Sequence, residues 1–164
     1  MKTLLIMRHA KSSWATPSQA DHDRPLNQRG RSAAPLMGEK LKEAGLTPDL
    51  IICSSAKRAH ETAQLIAPSC GYKGEIEVHK ALYLASPDIY FETLQLYGGD
   101  HQCILMIGHN PTIEMLIDLY APRPVYITTA NIGHIEYEID QWADVSLRAT
   151  GRLLNLWRPK EPNR

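Results

Sequence analysis

Apolar residues along this chain fall in short unbroken runs rather than in alternation. Leu4-Leu5-Ile6-Met7, "DLIICSS" at 49–55 and "QCILMIGH" at 102–109 have the pattern of strands covered on both faces, as in a parallel sheet. Helical spacing appears between them. Ser32 to Ala44 carries Leu36, Met37 and Leu41 before Gly45. Pro35 suits the first turn of a helix that starts near Ser32 and would kink one that starts earlier. "AKRAHETAQLIA" (56–67) puts Ala59, Ala63, Ile66 and Ala67 on one side, and Pro68 is expected to end it. "IEVH" (76–79) reads as a short strand, and Pro87 opens a helix from about Asp88 to Tyr97, before Gly98-Gly99. Asn110-Pro111 predicts a helix to about Leu119, with asparagine as N-cap and proline at the first helical position. "IGHIEYEI" (132–139) alternates as a half-exposed strand does, and "RLLNLWR" (152–158) is placed to pair with it through the turn at Thr150-Gly151. The polar stretch 15–31, with two prolines, reads as a loop over the sheet. Strands alternating with helices predict an α/β fold, a largely parallel sheet with helices on both faces.

Composition narrows the function. A length of 164 residues suits one domain, 1–164. Lys+Arg and Asp+Glu balance at 18 each, so net charge gives no footprint for nucleic acid or a membrane surface. No apolar stretch is long enough to span a bilayer. Met1-Lys2 leads straight into a strand-like run with no signal-peptide pattern, so a cytoplasmic protein is expected. Cys53, Cys70 and Cys103 form no C-x-x-C motif and are expected as reduced thiols, with Cys53 and Cys103 as small core residues.

The chemistry gathers at strand ends. The first strand stops on Arg8-His9. That stretch alone reads equally as a surface turn with solvated charges or as an anion site. The second strand ends in Ser54-Ser55 and enters a helix with Arg58 in its first turn; the third ends in His109 before a helix start. If the three strands are parallel neighbours, these groups meet at one edge of the sheet, where open α/β sheets hold ligands. Two arginines and two helix N-termini suit a phosphate. Neutral imidazole adds a nucleophile that divides one displacement at phosphorus into two.

"LIMRHAKSS", "SSAKRAHETA" and "IGHNPTIE" resemble the three signature segments of the histidine phosphatase superfamily, also called phosphoglycerate mutase-like. The short length, "DHDRPLNQRG" and the terminal "WRPK" are most similar to its SixA-like branch of phosphohistidine phosphatases. The resemblance implies a three-layer α/β/α sandwich with neither metal nor organic cofactor. It implies His9 as the phosphorylated nucleophile, Arg8 and Arg58 as phosphate ligands, and His109 as a second pocket histidine that binds phosphate and holds His9 ready. The implied partner is a phosphohistidine-bearing protein such as a phosphotransfer domain; the sequence does not fix the oligomeric state, with a monomer as the expectation.

Two departures refine this expectation. Many family members carry a glutamate general acid where this chain has Leu84, in "KALYLASPD". The nearest acid, Asp88, suits a helix cap. Many mutase-like members place an asparagine shortly after the Arg-His pair, where this chain has Ala15; Lys11 either supplies a charge in its place or is simply solvated. An alkoxide leaving group usually needs a delivered proton, whereas a phosphoramidate nitrogen takes its proton from solvent or departs as imidazole. Phosphohistidine therefore fits better than a sugar phosphate. A phosphatase of small phosphometabolites and a non-catalytic phosphate-binding module are the rival readings. Zinc on His9, His109 and a cysteine matches no ligand spacing, and the arginines would repel the cation. Asp21, Asp23 and Arg24 are expected to fix the long loop, with a substrate contact as the alternative. Trp14 packs the loop or edges the pocket; Trp142 and Trp157 are core or rim residues. His22, His60, His79, His101 and His134 lack a motif partner.

Overall fold

The computed structural model describes residues 1–159; Lys160 of "WRPK" lies outside them. The strands are β1 (Lys2–Arg8), β2 (Leu50–Ser54), β3 (Ile76–His79), β4 (Cys103–Gly108), β5 (Ile132–Tyr137) and β6 (Gly151–Trp157). The helices are α1 (Gln28–Glu43), α2 (Lys57–Cys70), α3 (Pro87–Tyr97) and α4 (Thr112–Asp118). The strands form a single sheet in the order β3-β2-β4-β1-β5-β6. The first four are parallel, whereas β5 runs antiparallel to β1 and β6 antiparallel to β5.

The unbroken apolar runs follow from two-sided burial. Leu5, Met7, Ile51, Cys53, Leu105 and Ile107 pack against Ala34, Met37 and Leu41 of α1 and Ala59, Ala63 and Ile66 of α2. Their strand neighbours Leu4, Ile6, Ile52, Ile104 and Met106 turn the other way, against Tyr90, Phe91 and Leu94 of α3 and Ile113, Leu116 and Ile117 of α4. The result is the α/β/α sandwich, with a core on each face of the sheet. Cys53 is fully buried, as is Cys70, while Cys103 is partly exposed at a strand start.

Tertiary packing overrides local signals at four places. The α1 helix starts at Gln28, four residues before the expected Ser32, because the Asn27 side chain accepts from the Gly30 N–H at 2.9 Å. Gly30 is needed there: a Cβ would lie 2.2 Å from the Lys11 carbonyl oxygen. Pro35 thus lies inside the helix and removes one i→i−4 bond, a loss offset by burying Ala34, Met37 and Leu41. Pro68 likewise does not stop α2, whose apolar face continues through Cys70 until Gly71 takes φ +85°. At α4, Pro111 itself occupies the N-cap position, and Asn110 Oδ1 accepts from the Glu114 N–H at 3.2 Å. Finally, β5 is nearly all buried rather than half-exposed, because β1 and β6 flank it and both cores extend over it.

Candidate active site

Parallel register brings the strand ends together. Arg8 on β1 pairs with Gly108 on β4, and Cys53 on β2 pairs with Ile107. The residues that follow, His9, Ser54-Ser55 and His109, therefore emerge at one level. They open on a cleft of about 220 Å³ lined by Arg8, His9, Ser12, Arg58, His109 and Asn110, with Lys11, Trp14, Arg24 and Thr129 completing its wall.

His9 is buried, 6% exposed. Its backbone N–H continues the ladder to Gly108 O at 3.0 Å, and the Ala10 N–H next to it donates to Thr62 Oγ1 at 3.0 Å. Its Nδ1 lies 2.7 Å from Ala10 O. A carbonyl only accepts, so Nδ1 carries the proton and Nε2 keeps a free lone pair. Arg58 Nε donates to that Nε2 at 3.3 Å. Burial first, then repulsion from His109 in its protonated form and from Arg58 and Arg8, holds the His9 imidazole down at about 3, against the upward pull of its bond to Ala10. It is neutral at neutral pH.

His109 sits opposite, its ring centroid 5.2 Å from that of His9. Nε2 lies 2.8 Å from the hydroxyl of the fully buried Ser54. Nδ1 is buried with no partner, as is Nε of Arg8. Burial, then Arg58, lowers His109 to about 4. Arg8 is held by one bond, from Nη1 to Ile127 O at 3.1 Å. Two guanidiniums beside two neutral imidazoles, with Nδ1 of His109 and Nε of Arg8 not engaged by other described groups, make an arrangement suited to an anion.

The long loop supplies an unexpected part. Asp21 Oδ2 accepts from Arg58 Nη2 at 3.1 Å and from the Tyr83 hydroxyl at 2.5 Å, while Oδ1 accepts from Arg24 at 2.9 Å. The Asp21 backbone carbonyl takes Arg58 Nη1 at 2.7 Å. The Tyr83 bond, then those from Arg24 and Arg58, push the Asp21 carboxyl below the usual carboxylate range against the effect of burial, so it stays ionised. Arg24 also bonds Ser13 O and the Ser12 hydroxyl and lies 3.4 Å from the centre of the Trp14 ring. Asp21 and Arg24 thus fix the loop, as expected, and Asp21 also orients Arg58. Asp23 makes only a 3.7 Å contact to His22.

A family model described as the histidine phosphatase superfamily (branch 1) matches residues 4–83. The Mycobacterium tuberculosis protein Rv1276c is 36% identical over 110 residues, 67% of this chain and 66% of that protein. The match thus spans just under two thirds of that relative's length. Over residues 4–83 the chain matches the histidine phosphatase superfamily. A 2,3-bisphosphoglycerate-dependent phosphoglycerate mutase of Streptomyces avermitilis is 39% identical over 80 residues, 48% of this chain and 31% of the mutase. The histidine phosphatase fold is shared over almost the full length with solved SixA structures. For SixA from Nakamurella multipartitia the TM-score is 0.79 at 26% identity, covering 96% of each chain. For SixA from Agrobacterium tumefaciens it is 0.80 at 24% identity, covering 96% of this chain and 98% of that one.

The histidine phosphatase cleft thus brings together Arg8, His9, Arg58 and His109, all four residues singled out from sequence. Lys11 is exposed at the rim, and Trp14, 73% exposed, edges the cleft. Asp88 does not reach it. It lines a separate surface depression with Phe91, Glu92 and Ser146. Leu84 lies beside the cleft, in a neighbouring apolar cavity of about 350 Å³ that shares His109 and Asn110 with it. Among the described residues no group of three or more His, Cys, Asp or Glu is placed to hold a metal. No described helix is long and apolar enough to cross a membrane.

Tyr83 and His22 escaped sequence reasoning. Tyr83 sits edge-on to both His109 and His22, and His22 Nε2 lies 2.9 Å from the Ser55 hydroxyl. No local signal marked them, since their partners are 33 and 62 residues away in the chain. Trp142 proved to be core. Trp157 is partly exposed and stacks on the buried His134 ring at 5.8 Å.

Proposed function

We propose that residues 1–164 act as one phosphatase domain that hydrolyses phosphohistidine on proteins through a covalent phospho-His9 intermediate. The carrying observation is the composition of the cleft. It is lined by cations, imidazoles and hydroxyls, with no Asp or Glu among the described lining residues. Asp21, the carboxylate paired with Arg58 and Arg24, is held ionised by its three donors and has no proton to give.

The reaction follows from the groups present. The Nε2 lone pair attacks phosphorus. Arg8 and Arg58 take up the charge on the equatorial phosphoryl oxygens, and the orphaned Nδ1 of His109 and Nε of Arg8 are free to join them. The P–N bond to the substrate breaks, and its imidazole leaves with the electron pair and draws a proton from solvent. Water then attacks phospho-His9, the second P–N bond breaks, and phosphate departs. His9 Nδ1–H, fixed on Ala10 O, keeps the tautomer right for both steps. A SixA structure of the same fold holds tungstate, a phosphate-like oxyanion, which supports this reading. Free thiols at Cys53, Cys70 and Cys103 suit the reducing cytoplasm, and a phosphotransfer domain is the partner we infer.

Rapid-quench mixing with a ³²P-phosphohistidine peptide tests this reading. Label should appear on His9 before free phosphate accumulates, and alkyl phosphates should turn over far more slowly. Equal rates for alkyl phosphates and phosphohistidine would favour the small-metabolite phosphatase, and binding without label on the protein would leave a phosphate-binding module.

A further inference from the structure

A second depression begins where the catalytic cleft ends, and Lys11 and Thr129 line both. Its volume is about 570 Å³, larger than the cleft, and it follows the first turns of α1 past Arg29, Ser32 and Leu36. A small phosphorylated metabolite would fill the 220 Å³ cleft and leave this groove empty.

The groove has a definite chemistry. Its charged lining groups among the described residues are Lys11 and Arg29, both exposed. Neither makes an ion pair within the described residues. Leu36 stands 49% exposed, because Ala34, Met37 and Leu41 take the buried face of α1. The groove is also fixed relative to the nucleophile. Lys11 O accepts the Asn27 N–H at 2.9 Å, and the Gly30 Cα lies against the same carbonyl with no room for a Cβ. Whatever rests on α1 is therefore held at a set distance from His9.

We propose that this groove docks the protein that carries the phosphohistidine, with an acidic side chain of the partner on Lys11 and Arg29 and an apolar one on Leu36. The inference rests on the phosphohistidine reading above and adds the surface that the partner must present. Charge selects the occupant. Two unpaired cations with no lining carboxylate attract an acidic surface and repel a basic one. The side chains after Pro159, Lys160 and Arg164 against Glu161, carry no net negative charge and so do not complement it.

Two synthetic phosphohistidine peptides of equal length test the groove, one flanked by Glu and Leu, the other by Lys and Ser, with free phosphohistidine alongside. Wild type should prefer the acidic peptide by about tenfold in kcat/KM, and the preference should shrink as salt rises toward about 0.5 M. Arg29→Glu/Leu36→Asp should erase the preference through KM and leave free phosphohistidine within about twofold. Arg29→Ala/Leu36→Ala should fall between. If free phosphohistidine is hydrolysed but the peptides are not discriminated, or the double variant keeps the preference, the groove is not the docking site. Reversible dimerisation abolished by Leu36→Asp, without peptide preference, would make a second copy the occupant and overturn the proposal. If free phosphohistidine itself is inert, the catalytic reading fails and takes this one with it.

Discussion

The two sides of the cleft are built to different standards. On the side of β1 and α2, polar contacts are closely specified. His9 is tied through Nδ1 to Ala10, Arg58 is gripped by both the carboxylate and the carbonyl of Asp21, and Thr62 in the second turn of α2 holds the strand extension at Ala10. On the side of the segment after β3, Leu84 is 82% exposed at φ +57°, a backbone region that costs a bulky L-residue about 1–2 kcal/mol. No Asp or Glu lines the cavity on which Leu84 opens, among the described residues. On the function proposed above, the contrast places preorganisation on the nucleophile and on the charge of the transferring phosphoryl group, and not on protonating a leaving group. That proposal predicts a substrate whose leaving group needs no delivered proton.

The sharpest way to break this contrast is at His9. His9→Ala should lose about 10⁴-fold or more in turnover, as removal of a covalent nucleophile does elsewhere, while the protein still folds and binds phosphate. Quench-flow and a phosphate titration check this together, and retention of more than a few per cent of wild-type turnover by a folded variant removes His9 as nucleophile.

Arg58→Ala comes next, with an expected loss of about 10²–10³-fold, or ~2.7–4 kcal/mol of transition-state stabilisation. Its guanidinium makes three bonds, to Asp21 and His9, so the thermal midpoint should fall as well, and the rate is read at a temperature where the variant is folded. A rate loss below tenfold would mean that the guanidinium stays on Asp21 when phosphate binds.

The pH response sharpens the picture of the buried imidazoles. His9 and His109 are held to about 3 and about 4, below the ordinary value of ~6.5. Protonation destroys the nucleophile, so kcat/KM should stay level as pH falls through 6.5 and drop about tenfold per unit only near the lowered values. Stability has the same sign. Below about pH 6.5 the unfolded chain takes up protons that these folded imidazoles refuse, so stability declines as pH falls and keeps declining to about 4 and 3. NMR titration of the free protein reads this directly, and a midpoint near 6.5 for either ring would contradict the geometry.

The smallest effect belongs to the other side. Leu84→Glu should raise the rate on alkyl phosphates by roughly tenfold, less than a well-positioned acid supplies, and leave phosphohistidine unchanged. Leu84 opens on the cavity that shares His109 with the cleft, so the carboxyl has only a short reach. A leaving-group series on wild type and variant measures it. An equal gain on both substrate classes would mean that proton delivery limits phosphohistidine as well.

Much of this molecule is written locally. Unbroken runs such as Leu4–Met7 announce strands buried on both faces, because two-sided burial demands apolar residues at every position. The three strand-end motifs follow, since short strands bring their C-terminal residues to one edge whatever lies between them. The residues to bet on, Arg8, His9, Arg58 and His109, were legible for that reason. Helix boundaries were not. Asn27 starts α1 ahead of Pro35, and Pro68 sits inside α2, because burial of a whole helix face outweighs one missing backbone bond. Asp21 as the grip on Arg58, Tyr83 beside His109, the unprotonated Nε2 of His9 facing Arg58 and the depressed imidazoles belong to tertiary structure alone. A hydrogen bond between residues 37 or 62 positions apart leaves no periodic trace in a sequence, and a pKa is set by the groups and the burial that folding brings around a side chain.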